Sequence, residues 1–132
     1  PNLLTIFFLV IANPVCANIN KINMTPSIKL TYFDIEGVAE SVRLALVLSG
    51  TPFEDDRIAF SQWAELKPKM PYGALPVMTI DGGPQRTQSM AQLRYVASSF
   101  SKTLYPSDKL LDIEESIGVV QDVQQSWMPS MY

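Results

Sequence analysis

A proline stands at the head of a short apolar run, Pro76-Val77-Met78-Thr79-Ile80, and the run ends in Asp81-Gly82-Gly83. Those residues leave few folds open. Val77 to Ile80 reads as a strand entering a tight hairpin, the Asp-Gly pair being a strong short-range signal for one. Pro76 removes one backbone donor, and Leu75 before it must be extended. Joined to the helix start that follows, the run predicts a cis bond between Leu75 and Pro76, which would turn the Leu75 N–H and carbonyl outward toward a ligand. After the hairpin, Gln88-Ser89 precedes the apolar-periodic Met90, Ala91, Leu93, Val96 and Ala97. Ser89 is expected to cap a helix whose first N–H groups could hold a carboxylate. Strand, hairpin and anion-ready helix start together make a small-molecule site. A plain ββα unit with an ordinary cap fits the same residues.

Composition narrows the chemistry. With 47% hydrophobic and 17% charged residues, a chain of 132 residues is large enough for one globular core. The net charge of −3 and the lack of any basic block speak against nucleic acid and against an anionic membrane surface as partners. There is no histidine, which removes Ser-His-Asp and Cys-His nucleophile systems and the usual zinc sites together, and no metal is expected. Cys16 is the only cysteine, so neither an internal disulfide nor a Cys-x-x-Cys redox pair can form. The chemistry falls to hydroxyls, carboxylates, lysine and arginine.

The first 28 residues are a different material. No charge occurs from Pro1 to Asn20, and Leu3 to Ala12 is an apolar run broken by Asn13-Pro14. Such a run is too short to span a bilayer. It suits the apolar core of a secretory signal, with Val15-Cys16-Ala17 as a small-residue cleavage site. No basic segment precedes it, and Met24 stands just ahead of the regular pattern. Three readings stay open: extraneous upstream sequence, a signal peptide leaving a mature chain from Asn18, and an apolar structural arm. Residues before about Thr25 are expected to pack outside the domain. Asn23-Met24-Thr25 also matches a glycosylation acceptor.

From Ile28 the pattern turns regular. Lys29 to Phe33 alternates polar and apolar positions as a short strand. Val38, Val42, Ala45, Leu46 and Ser49 define an amphipathic helix between the Asp34-Ile35-Glu36-Gly37 loop and the terminator Gly50, with Glu40 and Arg43 between the apolar positions. Phe53 to Ile58 is a second, acid-rich and more exposed strand. Ser61 is placed to cap a short helix through Leu66, and Pro68 and Pro71 force a loop into the central strand. A short strand around Gln85 to Thr87 and a helix from Ser89 to Ser99 complete the order β-α-β-α-β-β-α. The fold class is α/β, a four-stranded mixed sheet with flanking helices. Beyond Pro106, Asp108 can cap a further helix whose Leu110, Leu111, Ile113, Ile117, Val120 and Val123 share one face.

Taken in order, these residues resemble the N-terminal, thioredoxin-like domain of a cytosolic glutathione transferase, in particular its tyrosine-type sigma class. The likeness rests on Leu30-Thr31-Tyr32-Phe33-Asp34-Ile35-Glu36-Gly37-Val38-Ala39-Glu40, on Trp63 with Lys67, and on Gly73-Ala74-Leu75-Pro76-Val77. Gln88-Ser89 followed by Leu93-Arg94-Tyr95 completes it. Composition sets apart an apolar extension over 1–28, and the resemblance implies a glutathione-binding domain over 29–106 and the truncated start of an all-helical domain over 107–132. The remaining helices of that domain build the pocket for the electrophile in the family. Trp127, Met128, Met131 and Tyr132 would then end as exposed apolar surface.

The resemblance also implies roles. Tyr32 would donate a hydrogen bond to the glutathione sulfur, favouring the nucleophilic thiolate over the thiol. Leu75, ahead of Pro76, would pair its backbone with the cysteinyl part. Gln88 and Ser89 would take the γ-glutamyl carboxylate at the helix N-terminus. The Trp63 indole and the Lys67 ammonium would take the glycyl carboxylate, and Asp122 would reach the glutathione amine of the neighbouring subunit in a homodimer. Glutathione is thus the expected co-substrate, a small electrophile the second partner, and the cytoplasm the expected location, with secretion if residues 1–17 are a signal. The expected reaction is addition of the thiolate to the electrophile, or glutathione-dependent isomerisation or peroxide reduction. Without the resemblance, Tyr32 reads as a half-buried sheet tyrosine, Trp63 and Lys67 as a core residue and a solvated one, and Asp122 as a solvated helix aspartate. Val38 stands where sigma relatives often carry arginine, and Ala74 where they carry glutamine or lysine. These departures keep a second class of function open, a non-catalytic binding or structural module on the same fold. Thioredoxin or glutaredoxin chemistry is close to excluded, because no cysteine opens the first helix.

Overall fold

The computed structural model of the protein describes residues 25–127. The expectations placed on Leu3 to Ala12, Val15-Cys16-Ala17, Asn23, Met24, Met128, Met131 and Tyr132 lie outside those residues, as does the one on the Trp127 side chain. Three strands, β1 (Ile28–Phe33), β2 (Phe53–Ile58) and β3 (Val77–Ile80), form a sheet in the order β2-β1-β3. Four helices accompany them among the described residues: α1 (Glu40–Leu48), α2 (Trp63–Leu66), α3 (Ser89–Phe100) and α4 (Leu110–Trp127). β1 and β2 run parallel, from Ile28 beside Phe53 to Phe33 beside Ile58, and α1 supplies the crossover that a parallel pair requires. β3 is antiparallel to β1, from Ile28 beside Ile80 to Thr31 beside Val77.

This is the mixed sheet with flanking helices that the pattern predicts and the thioredoxin-like arrangement that the resemblance implies, with one contraction. The fourth strand is reduced to a single bridge, in which Met78 N–H reaches the Arg86 carbonyl at 2.8 Å and Arg86 N–H returns to Met78 at 2.9 Å. Pro84 has no N–H to offer on one side of Arg86, and on the other the chain turns at Gln88, where φ is 73°. The hairpin before it is a two-residue turn with positive φ at both Asp81 (51°) and Gly82 (66°), the conformation that suits right-twisted strands. Asp81 further pairs with Ser27, its N–H and its carboxylate each meeting a Ser27 backbone group at 2.8 Å.

Ile28 and Leu30 of β1, Val42, Ala45 and Leu46 of α1, Met78 of β3 and Val96 of α3 form the core. The acids of β2 are not a free anionic patch. Lys29 lies 2.9 Å from Glu54 and 3.2 Å from Asp56, while Asp55 meets Arg43 at 2.9 Å and Arg57 at 2.7 Å.

Helix starts depart from the sequence-based expectation in a consistent way. Ser61 caps nothing; it lies inside a 3₁₀ turn, Phe60–Gln62, where the Gln62 side chain accepts the Ala59 N–H at 2.8 Å. Asp108 likewise falls inside a 3₁₀ turn, Ser107–Lys109, and makes no cap bond. Ser89 is the first residue of α3 rather than its cap, a position held by Gln88, and no side chain closes that end. In the first two cases, a tighter turn supplies the i→i+3 bonds that satisfy a helix end, so the hydroxyl or carboxylate has no donor to serve.

α4 is tied back to α3 by one charged cluster. Arg94 reaches Glu114 through Nε at 2.7 Å and through a terminal nitrogen at 2.6 Å, and the Tyr105 hydroxyl donates to the same carboxylate. The Arg94 hydrogen bonds, and then that of Tyr105, draw the Glu114 carboxyl from its ordinary 4.5 down to about 2. A carboxyl whose folded value is depressed contributes stability that is present above its ordinary value and lost as pH falls toward the folded one. The docking of α4 should therefore hold at neutral pH and loosen progressively below about 5. Glu114→Gln should be less stable than the parent at pH 7, and the two acid-unfolding curves should converge near pH 2. Parallel curves over that range would remove Glu114 from the account. Ile113 and Ile117 of α4 face Met90 and Leu93 of α3 across a cleft of about 410 Å³. Leu111, Val120 and Val123 of the expected apolar face stay exposed.

Candidate functional site

Tyr32 is the penultimate residue of β1 and only 6% exposed. Its ring meets Phe33 edge-on, with centroids 5.5 Å apart, and the Arg43 guanidinium carbon lies 5.8 Å from the ring centre. The hydroxyl end is packed against the loop that follows. Gly37 has φ of +48°, and a Cβ placed there would stand 2.7 Å from the Tyr32 hydroxyl oxygen. Only glycine combines that backbone conformation with so close an approach.

Arg43 holds the loop in place from below. Read from the sequence as a polar position on an amphipathic helix, it is 4% exposed. Its guanidinium donates to the carbonyl of Ile35 at 2.9 Å and that of Glu36 at 3.3 Å, to Glu40 at 3.1 Å and to Asp55 at 2.9 Å. A fork of donors meeting carbonyls and carboxylates together is a task for which arginine is built. The signal was present in the sequence: Ala39, Val42, Arg43 and Leu46 follow helical spacing, so Arg43 sits on the buried stripe.

The bond between Leu75 and Pro76 is cis. In the β1–β3 ladder the last pair is Thr31 with Val77, which sets Pro76 level with Tyr32. Leu75 lies beyond the ladder, and no hydrogen bond among the described residues uses its N–H or carbonyl. Gln88 has φ 73° and ψ 95°, a sparsely populated conformation of the kind that gathers at ligand sites. Behind it opens a twelve-residue helix whose first N–H groups carry the positive end of the helix dipole.

Trp63 and Lys67 come from α2 and the turn that follows it. Trp63 is half-buried and meets Phe33 edge-on at 5.5 Å, while Phe33 stacks on Phe60 at 4.3 Å, so a run of rings connects it to Tyr32. Lys67 follows α2 directly, its N–H bonded to the Trp63 carbonyl. Its stem lies along the loop before Leu75, for a Cβ at Gly73 would be 3.5 Å from the Lys67 Cγ and Cε. Tyr32, Leu75-Pro76, Gln88-Ser89, Trp63 and Lys67 thus belong to one end of the sheet and its loops. Asp122 is exposed on α4, and among the described residues nothing links it to that group. Val38 and Ala74 add no polar atom.

Gln92 is the other residue that sequence reasoning missed. The periodicity put Ala91 on the apolar face of α3, but Ala91 is exposed and Gln92 is buried at 1%. A further cleft of about 470 Å³ lies between β3 and α3, lined by Met78, Arg86, Gln92 and Tyr95 among others. None of the candidate residues lines that cleft or the one beside α4. The candidate residues gather instead at the strand ends, a shelf whose backbone groups and helix start suit an extended peptide held by backbone bonds and terminal charges. Among the described residues no group of three or more His, Cys, Asp or Glu is placed to hold a metal ion, and no helix is long and apolar enough to cross a membrane.

Comparison with known proteins shows the family. The glutathione S-transferase N-terminal domain family matches residues 28–98. The class-mu 28 kDa glutathione S-transferase isozyme of Schistosoma japonicum is 38% identical over 104 residues, covering 76% of this chain and 50% of that protein. The crystal structure of the glutathione S-transferase from Ascaris lumbricoides superposes with a TM-score of 0.71 at 33% identity, over 80% of this chain and 51% of that one. Prostaglandin synthase D of Nilaparvata lugens gives a TM-score of 0.67 at 34% identity, over 78% and 51%. The chain spans about half the length of these relatives. With the family matched across the whole sheet and most of α3, the chain belongs to the glutathione S-transferases, and residues 28–98 match that family's N-terminal domain.

Proposed function

We propose that residues 29–106 bind glutathione for a transferase of the sigma-like tyrosine type, with Tyr32 as the residue that activates the thiol. The observation that carries this reading is the packing of the Tyr32 hydroxyl against Gly37, on a strand whose register sets Tyr32 level with cis-Pro76 and next to Leu75, whose backbone groups enter no hydrogen bond among the described residues. Leu75 would pair with the cysteinyl unit, Gln88 and Ser89 would hold the γ-glutamyl carboxylate, and Trp63 and Lys67 the glycyl carboxylate. The likeness to prostaglandin synthase D of Nilaparvata lugens supports the sigma assignment. On this reading residues 107–132 begin a helical domain, the protein works in the cytoplasm as a homodimer, and Asp122 reaches the glutathione amine bound to its partner. The reaction is transfer of the glutathione thiolate to a small electrophile, or isomerisation or peroxide reduction at the same sulfur.

The chemistry rests on one hydrogen bond. A free thiol ionises near pH 8.5, so at neutral pH each unit of depression raises the thiolate fraction nearly tenfold. A hydrogen bond to a charged sulfur is worth about 1.5–3 kcal/mol, or roughly one to two units of pKa. Tyr32→Phe should therefore raise the pKa of bound glutathione by about that amount and leave its affinity nearly unchanged. Ser89→Ala should do the reverse, weakening binding with little effect on the thiol. Thiolate absorbance titrations and calorimetry on the two variants separate these effects. An unchanged thiol pKa in Tyr32→Phe would take the activating role from Tyr32. Val38 and Ala74 favour one other reading, a glutathione-binding module without turnover. It predicts binding with an unperturbed thiol.

A further inference from the structure

We infer that Gln92 is a positioning residue that fixes the distance between the two halves of the glutathione shelf, the cis-Pro76 loop and the start of α3. The inference rests on the reading of that shelf given above. Gln92 is an amide in the core: 1% exposed, on the stripe of α3 that also buries Val96. Its Nε2 donates to the Pro76 carbonyl at 3.1 Å and to the Arg86 carbonyl at 2.9 Å. Its backbone N–H donates to the Gln88 carbonyl at 3.0 Å, the first bond of the helix. One residue therefore joins the strand head behind Leu75, the bridge that closes the sheet edge, and the residue before Ser89.

The arrangement is costly for a purely structural contact. Oε1 of Gln92 is buried and accepts no hydrogen bond from any described residue, and an unsatisfied buried acceptor opposes folding. An apolar side chain of similar size would fill the same volume and remove that acceptor, though it would leave the buried Pro76 carbonyl without its Gln92 donor. What the amide adds is direction. Two donors on one nitrogen set where the Pro76 carbonyl stands relative to Arg86, whose own carbonyl already accepts the Met78 N–H at 2.8 Å. A ligand that pairs with Leu75 at one end and the α3 N-terminus at the other needs those ends at a fixed spacing, and a misplacement of about 1 Å is enough to lose much of the interaction.

Gln92→Met keeps the volume and removes both donors. Its dissociation constant for glutathione should rise about tenfold, one hydrogen-bonded restraint's worth, while the unfolding midpoint stays close to the parent's, because the unpaired Oε1 disappears as the Pro76 carbonyl loses its Gln92 donor. Gln92→Asn keeps the amide but is one methylene too short to span both carbonyls, and should weaken binding to a similar extent. The thiol pKa of bound glutathione should not move in either variant, since Tyr32 is untouched. Glutathione affinity equal to the parent's in a folded Gln92→Met would overturn the inference, as would parent-like binding in Gln92→Asn. Should both variants fail to fold, the parent decides: its Gln92 side-chain amide protons should exchange slowly and shift when glutathione saturates the protein, and a solvent-exchanging, unshifted pair overturns the inference. No glutathione binding by the parent itself brings down the reading of the shelf, and this inference with it.

Discussion

Arg43→Met should lower the stability of the folded chain by about 3 kcal/mol, toward the lower end of what breaking a buried ion pair costs. Methionine preserves the packing of the stem but offers nothing to the carbonyls of Ile35 and Glu36, or to Glu40, which now receive the guanidinium's hydrogen bonds. Asp55 suffers less, because Arg57 still meets it at 2.7 Å, and that is why the larger figures for an orphaned buried charge do not apply. For a domain of this size the loss corresponds to a fall of roughly 15 °C in the unfolding midpoint. The effect should reach the site as well, since the loop from Phe33 to Gly37 is the one that packs on Tyr32. Calorimetric scans of parent and variant measure the first part. A midpoint within a few degrees of the parent's would show that Arg43 is a surface residue in solution.

Gly37→Ala should be nearly as damaging to thiol activation as removal of the Tyr32 hydroxyl. The added Cβ would lie 2.7 Å from that oxygen and 2.9 Å from Cε1 of the ring. Neither atom is the end of a flexible chain that can step aside, because the ring is flanked by Phe33 and by the Arg43 guanidinium. The φ of +48° adds about 1–2 kcal/mol for any residue with a Cβ. Either the loop or the hydroxyl has to move, and a donor displaced by about half an ångström no longer meets the sulfur at hydrogen-bond distance. Bound glutathione should show a thiol pKa raised by about one unit, hence roughly tenfold less thiolate at neutral pH. Binding through Ser89 and Leu75 should persist. A thiol pKa equal to the parent's would place the sulfur elsewhere.

Much of this was legible in the sequence because the relevant constraints are local. Asp81-Gly82 specifies its turn by itself, Pro76 specifies the extended residue before it, and the alternation from Lys29 to Phe33 specifies a strand. Leu75 and Gln88-Ser89 stand out for the same reason, each beside such a marker, whereas Tyr32 stands out only through the family resemblance, because alone it reads as a half-buried sheet tyrosine. The residues that were missed act at long range. Arg43 appears as a charge to be solvated until β2 brings Asp55 and the β1–α1 loop brings its carbonyls. Gln92 appears as a polar interruption of a helix face until Pro76, sixteen residues earlier, presents a carbonyl. Both lie on buried stripes, and a polar residue in such a position needs partners from elsewhere in the chain. Helix starts failed in the other direction. Ser61 and Asp108 have good capping chemistry, but 3₁₀ turns already satisfy the donors they would have served.

The central claim is that the β1 end, the cis-proline loop and the start of α3 form one site for one ligand. Titration of the isotopically labelled 132-residue chain with glutathione, followed by amide and indole chemical shifts, tests it without any requirement for turnover. The account predicts that Leu75, Ser89, Gly37 and the Trp63 indole shift together, along isotherms that share one dissociation constant, while Asp122 remains still at protein concentrations where the chain is monomeric. Shifts confined to Met78, Arg86 and Tyr95, around the cleft between β3 and α3, would contradict it.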